Sequence, residues 1–411
     1  MKIRSITYFC NPRFLLDEKI LQAAGDFLAQ AKAAYESAGY EVQTLRLATI
    51  PFPRMLGESQ MDQLPKMAEA LAGLLPQVGI AYASLGPALP DSPHSYELIP
   101  EAIAASENIF FGGVMADSRG IHMDALRACA EVIVQCAPLD LNGFANLKFA
   151  ALANVPAGAP FFPAAYHDGD EPAFAIATES ADLAVDAFSG ASSLEDGRQA
   201  LIREIERRGQ ALAKVANTLL WHVPFGGIDF SLAPFPDDAH SLGNAVERMG
   251  IPKIGLHGSL AAAALLTEAV DRADFPHTGF SGFMQPVLED SVLAKRAAEG
   301  TLTIKDLLLY STVCGTGLDT VPLPGDTRAE QIIPLLLDLS ALALRLDKPL
   351  TARLMPVPGK KAGDVTAFDF GFFANSRVMK LEAVPLGRSF ATNETLRLRK
   401  STIMRPRQDT F

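Results

Sequence analysis

Cysteine is scarce in this sequence, with four in 411 residues. That excludes a disulfide framework and leaves each thiol to be judged singly. Long apolar runs are also missing: no stretch reaches the ~18 consecutive apolar residues of a membrane helix. The richest candidate, IPLLLDLSALALRL, is cut by Asp338. Met1–Phe9 carries Lys2 and Arg4 without a following apolar segment, so no signal peptide is expected. Basic charge is in deficit, 36 Lys and Arg against 47 Asp and Glu, for a formal net charge of -11. This balance argues against nucleic-acid and anionic-membrane partners, which need a clustered basic face. A reducing, cytoplasmic home is the simplest expectation.

Motifs with known mechanics are absent as well. There is no His-Glu-x-x-His, no Cys-x-x-Cys and no EF-hand loop. No Gly-x-Gly-x-x-Gly follows a strand, and Pro358-Gly359-Lys360-Lys361 lacks the spacing of a phosphate loop. Gly-x-Ser-x-Gly is missing too, so neither a nucleotide nor a hydrolase elbow is expected.

What is present is an ordinary globular composition, 49% hydrophobic and 20% charged. Alternating β-branched and aromatic residues predict a strand at 2–9. Asp17 predicts the cap of a helix whose stripe is Ile20, Leu21, Ala24, Phe27, Leu28 and Ala31. Strands and helices then alternate along the chain, with late strands expected at 350–355, 367–373 and 378–385. Capping boxes are expected at Ser193–Asp196 and Thr327–Glu330. Alternation with short connections predicts an α/β protein. About ten strands favour closure into a barrel over one open sheet. The expected organisation is one large domain over 1–386 and a polar arm over 387–411. In that arm Arg388, Arg397, Arg399, Lys400, Arg405 and Arg407 face Glu394 and Asp409. Such an arm is expected to lie on a second copy of the chain, making a homo-oligomer.

Candidate chemistry concentrates in 223–327, where polar residues follow apolar strand-like runs near glycine or proline. In Gly227–Leu232, Ile228, Phe230 and Leu232 share one strand face and Asp229 and Ser231 the other. A polar pair on a strand that should be apolar on both faces points into a cavity, unless Asp229 caps a loop. His257, with Gly258 and Ser259, lies at a strand-to-helix glycine turn suited to an anion, a rim position for a proton donor or ligand. The alternative is a core histidine bonded to a carbonyl. His167 is a second such histidine. Cys314, followed by Gly315, occupies a glycine-rich loop able to lift a thiol into a cavity, although free cysteines are mostly small buried hydrophobes. Ser281, Glu289, Asp290 and Asp319 add polar and acidic groups. With Asp229 and the histidines they could form an acid–base site or hold a divalent metal.

Four segments, Phe225–Pro236, Gly255–Leu266, Cys314–Thr327 and Phe162–Gly169, resemble the bacterial and archaeal family called domain of unknown function 711, or uncharacterised protein family 0210. The resemblance is collinear over about 1–385, and its most specific parts are GLHG (255–258) and CGTGLD (314–319). It implies a ten-stranded β/α barrel of the pyruvate formate-lyase-like type, two half-barrels around a loop bearing Cys314. It does not carry radical chemistry, because the chain after Phe373 offers only Gly387 where a glycyl radical loop would stand. Two functions compete. One is an enzyme acting on a small polar or anionic metabolite, with Asp229 or His257 as acid or base, Cys314 as nucleophile or liner, and Asp319 or Glu289 as orienting groups. Ser231, His167, Gly258, Ser259, Ser281 and Gly315 would complete its binding surface. The other is a non-catalytic binding or assembly protein that keeps the scaffold.

Overall fold

The computed structural model describes residues 1–219 and 223–400; Arg405, Arg407 and Asp409 of the basic arm fall outside the described residues. Among the described residues, eleven strands form one sheet. They are β1 (Lys2–Cys10), β2 (Val42–Thr49), β3 (Tyr82–Ala88), β4 (Ile109–Asp117), β5 (Gly120–His122), β6 (Phe149–Ala153), β7 (Ala173–Glu179), β8 (Phe225–Asp229), β9 (Gly317–Pro324), β10 (Leu350–Val357) and β11 (Thr395–Leu396). The order along the sheet is β8-β7-β1-β2-β3-β4-β6-β10-β9, with β5 and β11 attached to the end of β4.

Strand direction divides the sheet. β1, β2, β3, β4 and β6 run parallel to one another. β7 joins β1 antiparallel, and β10 joins β6 antiparallel. β8 is parallel to β7, and β9 to β10. Continuous ladders therefore leave the sheet open between β8 and β9, and the expected closed ten-stranded barrel is not shown by them. The segment between those strands touches both through single parallel bridges: Ile228 to His277, Leu232 to Phe283, and Pro286 to Asp319.

Local rules explain most elements. Asp17 caps α1 (Glu18–Ser37) by accepting from the Lys19 N–H, and Leu21, Ala24, Leu28, Ala31 and Tyr35 form its buried stripe. Gly25 is required there, because a Cβ would stand 2.3 Å from the Val78 carbonyl oxygen. The long α2 (Leu194–Leu219) buries Leu201, Ile205 and Leu212. Asp290 serves two helices at once. Its carboxylate accepts from Val292 and Leu293 N–H at the start of α4 (Ser291–Glu299). It also accepts from Ser241 Oγ and from Leu242 and Gly243 N–H at the start of α3 (Leu242–Arg248). Five donors on one buried carboxylate make it a structural anchor, not a reactive acid.

Some sequence expectations need correction. The Leu-rich helix α5 (Ala329–Leu346) starts one residue later than the Thr327 box implies; Arg328 precedes it, and Gln331 Oε1 accepts from the Arg328 N–H at 3.1 Å. The strands expected at 367–373 and 378–385 do not form. In the first, the Thr366 and Asn375 side chains satisfy the backbone in place of a ladder, and Phe368 and Phe373 pack on Phe144. The arm folds back on its own chain: β11 pairs antiparallel with β5, Arg127 binds the Thr392 carbonyl, and Lys400 meets Asp347.

Candidate functional site

A cavity of about 390 Å3 opens where the two sets of strands meet. β1, β2, β3 and β4 bring residues from their first halves (Arg4, Gln43 and Thr44, Tyr82, Phe110), with Arg46 just past the middle of β2, whereas β7 and β8 bring residues from their last ones (Thr178, Asp229) and just beyond (Ser231). This inversion follows from the opposed directions of the two sets. Arg353 of β10 and Glu289 join this polar wall, and Glu107, Asp140 and Lys148 also line the cavity.

The centre of that wall is an ion network. Glu289 binds Arg4 on one side and Arg353 Nη2, at 2.8 Å, on the other. Arg353 Nε also meets Asp319 Oδ1 at 2.5 Å, and Arg4 Nη1 lies 3.6 Å from Glu179. All five groups except Arg4 are buried. Burial alone would raise Glu289, but Arg4 and Arg353 outweigh it and hold the carboxyl below its usual range. Asp319 goes the other way: burial and the nearby Glu289 charge raise it despite Arg353.

Arg46 is different. Its Nε donates to Thr44 Oγ1 at 2.9 Å, and among the described residues no carboxylate reaches it. Its guanidinium lies 5.0 Å from the Phe162 ring centroid and 6.0 Å from that of Tyr82. Burial and the neighbouring Arg4 push it down to about 9, so it is still charged at neutral pH. On the same face, Thr7 pairs with Arg46 and Ser5 with Thr44 in the β1–β2 register. Both hydroxyls are buried without a partner among the described residues.

Asp229 meets both sequence readings. It lines the cavity with Ser231, as the alternation of the strand implies. It also anchors a loop: Oδ2 accepts from Phe280 N–H at 2.9 Å, and Oδ1 from Ser281 N–H at 3.0 Å and Ser231 Oγ at 2.5 Å. Burial raises its carboxyl, and these donors oppose the rise. Gly279, at φ 65°, is needed beneath it, since a Cβ would stand 2.3 Å from Oδ2.

A second concavity, about 400 Å3, is lined by Ser281, Cys314, Gly315 and Lys348. The Cys314 thiol is 1% exposed; it accepts from Gly317 N–H at 3.2 Å, and Gln285 Nε2 stands 3.7 Å away. Burial raises it, with Lys348 opposing. Lys348 Nζ itself donates to the Cys314 carbonyl.

The expected convergence of Asp229, His257 and Cys314 does not occur. His257 is exposed and lines neither concavity. The GLHG turn is built by Ser259, whose Oγ accepts from Gly255 N–H and donates to the Leu256 carbonyl. Gly255 is fixed by the Thr301 carbonyl oxygen, 2.2 Å from where its Cβ would be, and Gly258 by its φ of 104°. His167 is buried away from both concavities, its Nε2 3.0 Å from the Glu171 carbonyl, and burial lowers its pKa. Among the described residues no three His, Cys, Asp or Glu side chains are grouped to hold a metal. Glu289 is taken by the Arg4 and Arg353 guanidiniums and Asp229 by backbone N–H groups, so these two candidates from sequence are not arranged to hold the divalent ion considered there. Asp319 stands one link behind the cavity, through Arg353.

Sequence reasoning missed Arg4, Arg46 and Arg353, and the rings of Phe161, Phe162 and Phe370. The signal was available: each arginine interrupts an otherwise apolar or β-branched strand (KIRSITYF, VQTLRLAT, LTARLMPV).

Comparison with known proteins agrees with the collinear resemblance. Residues 1–375 match the family model described as "Uncharacterised ACR (DUF711)". A UPF0210 protein of Pyrobaculum islandicum is 34% identical over 379 residues, covering 86% of this chain and 82% of the relative. Another, of Acetivibrio thermocellus, is 31% identical over 383 residues, covering 88% and 84%. A third, of Neisseria meningitidis, is 30% identical over 368 residues, covering 85% and 81%. The chain belongs to the DUF711 family, also called UPF0210.

Proposed function

We propose that the protein binds a small anionic metabolite in the cavity walled by Arg4, Arg46 and Arg353. The observation that carries this reading is Arg46, a charged guanidinium at a concave wall with no carboxylate partner. An unpaired charge that is partly withdrawn from water is costly, and a protein keeps one where a ligand supplies its counter-charge. The setting suits a ligand: the volume lies within the ~300–1,000 Å3 usual for small-molecule sites, and aromatic rings share the lining with charged groups.

The same reading takes 277–287 as the missing stave between β8 and β9. Its parallel bridges on both sides support a ring of ten strands in two opposed sets of five, with the ligand held inside. It also keeps one domain over 1–386, with 387–411 as an appended arm, and a cytoplasmic location. Self-association through the arm has weaker support, since the arm as far as Lys400 is engaged by its own chain.

If the protein turns its ligand over, Asp229 is the group placed to move a proton, because it faces the cavity and burial raises its carboxyl. A non-catalytic binding role is the second reading; it draws on the buried Cys314 and exposed His257. Thermal shift against acetate, inorganic phosphate, sulfate and citrate, with neutral glycerol as control, tests the proposal. Stabilisation by one or more anions, abolished in Arg46→Ala, supports it. No anion effect, or an effect unchanged in Arg46→Ala, overturns it.

A further inference from the structure

Resting on that reading, we propose that the ligand is a monocarboxylate with a flat apolar body, gripped at its anionic end by Arg46 and along its body by aromatic rings. The first argument is the shape of the free donor. Nε of Arg46 is committed to Thr44, while its two Nη groups have no partner among the described residues. Its Cζ stands over the Phe162 ring, 5.0 Å from the centroid, and the two Nη groups are the donors left for a ligand. A planar fork met edge-on matches the two oxygens of a carboxylate.

The second argument is charge. A dianionic phosphate needs more than one free cation, and the other cations of the lining are occupied: Lys148 Nζ donates to the Ile103 and Ser106 carbonyls, and both remaining guanidiniums are held by carboxylates. Arg4 serves Glu289 and Glu179, and Arg353 serves Glu289 and Asp319. Glu289 and Asp229 share the cavity wall and would repel a second negative charge on the ligand. One free guanidinium among resident carboxylates selects a single charge.

The third argument is the lining. Tyr82 and Phe110 stand edge-to-face at 5.6 Å, and Phe110 and Phe162 at 5.5 Å. With Phe161 and Phe370 they line the cavity. Such walls prefer a flat apolar partner, in offset or edge-on contact, to a hydrated polar one.

Isothermal titration of the full chain tests this with benzoate, phenylacetate and indole-3-acetate as probes. Acetate, benzamide and phenyl phosphate are the comparators. The expected result is saturable binding of at least one aromatic monocarboxylate, with acetate, benzamide and phenyl phosphate each at least about tenfold weaker than it. Arg46→Gln should weaken that binding at least about tenfold, and Arg46→Lys, which keeps the charge but loses the fork, should not restore it. Melting curves show whether each variant is folded; if Arg46→Gln is not, the Arg46→Lys titration and the probe ranking decide. Tighter binding of phenyl phosphate, or equal binding of benzamide, overturns the monocarboxylate assignment and leaves the anion site standing in the first case only. Failure of every aromatic acid, with an anion response retained in thermal shift, overturns this inference alone. Failure of both overturns the cavity reading with it.

Discussion

Arg4, in the first strand, and Glu289, 285 residues further along, form an ion pair at the wall of the central cavity. The same carboxylate holds Arg353 at 2.8 Å, so one acid joins the beginning of the chain to a strand near its end. Removing it leaves Arg4 with Glu179 alone, at 3.6 Å, and Arg353 with Asp319 alone. Glu289→Gln is therefore expected to lower unfolding free energy by ~3–5 kcal/mol, measured by denaturant titration. A loss under about 1 kcal/mol would show that the network is solvated and dispensable.

The pH dependence of that loss has a definite sign. The folded pKa of Glu289 lies below the usual 4.5 because Arg4 and Arg353 outweigh the cost of burial. Its stabilisation is thus complete above about pH 4.5 and disappears as pH falls through the lower folded value. The stability gap between wild type and Glu289→Gln should be widest near neutrality and narrow in acid. A gap that widens below pH 4.5 would contradict the ion-pair account.

Asp229→Asn should cost ~1–3 kcal/mol, since an amide can accept through one oxygen only and turns donors toward the Phe280 or Ser281 N–H. Hydrogen exchange should quicken at Phe280 and Ser281 before anywhere else in the sheet. Unchanged protection at those two amides would mean that the carboxylate does not hold the loop.

The thiols should be inert in the native state. Burial pushes Cys10 and Cys136 up to about 12 and raises Cys314, and all four are buried. Mass spectrometry after iodoacetamide at pH 7.5 should find no labelling without denaturant and four adducts with it. Rapid labelling of Cys314 alone would revive a nucleophilic role for it.

His257→Ala should change stability by less than ~0.5 kcal/mol and leave ligand binding as it is, because the imidazole is exposed outside both concavities. A clear loss of binding would place the ligand at the turn instead.

Much of the architecture could be read from the chain, for physical reasons that differ by element. Alternation gave β1, and a capping aspartate with an apolar stripe gave α1, because both signals are local. The polar face of Asp229 and Ser231 was legible for the same reason: period-two alternation carries side-chain direction. The arginines were not legible as site residues because polar strand ends and loops mark a site within 223–327, whereas Arg4 and Arg46 stand inside strands of the opposed set. That opposition is a property of long-range pairing and leaves no local trace. His257 and the glycines of GLHG looked chemical because glycine turns serve both anions and tight packing; a carbonyl from Thr301 settles the choice for Gly255, and only folding brings it there. Asp290 likewise looked like a spare acid until two helix starts, at Ser241 and Ser291, met on it.

The cavity wall draws on Arg4 near one end of the polypeptide and Arg353 and Phe370 near the other. A ribosome-bound chain therefore has no competent pocket until β10 has emerged, by which time every other charged group of the wall is already waiting. Until then Glu289 meets a single guanidinium. Any product cut short before Arg353 would carry that half-paired acid and should be less stable than the full chain, because one of its two guanidinium partners is missing.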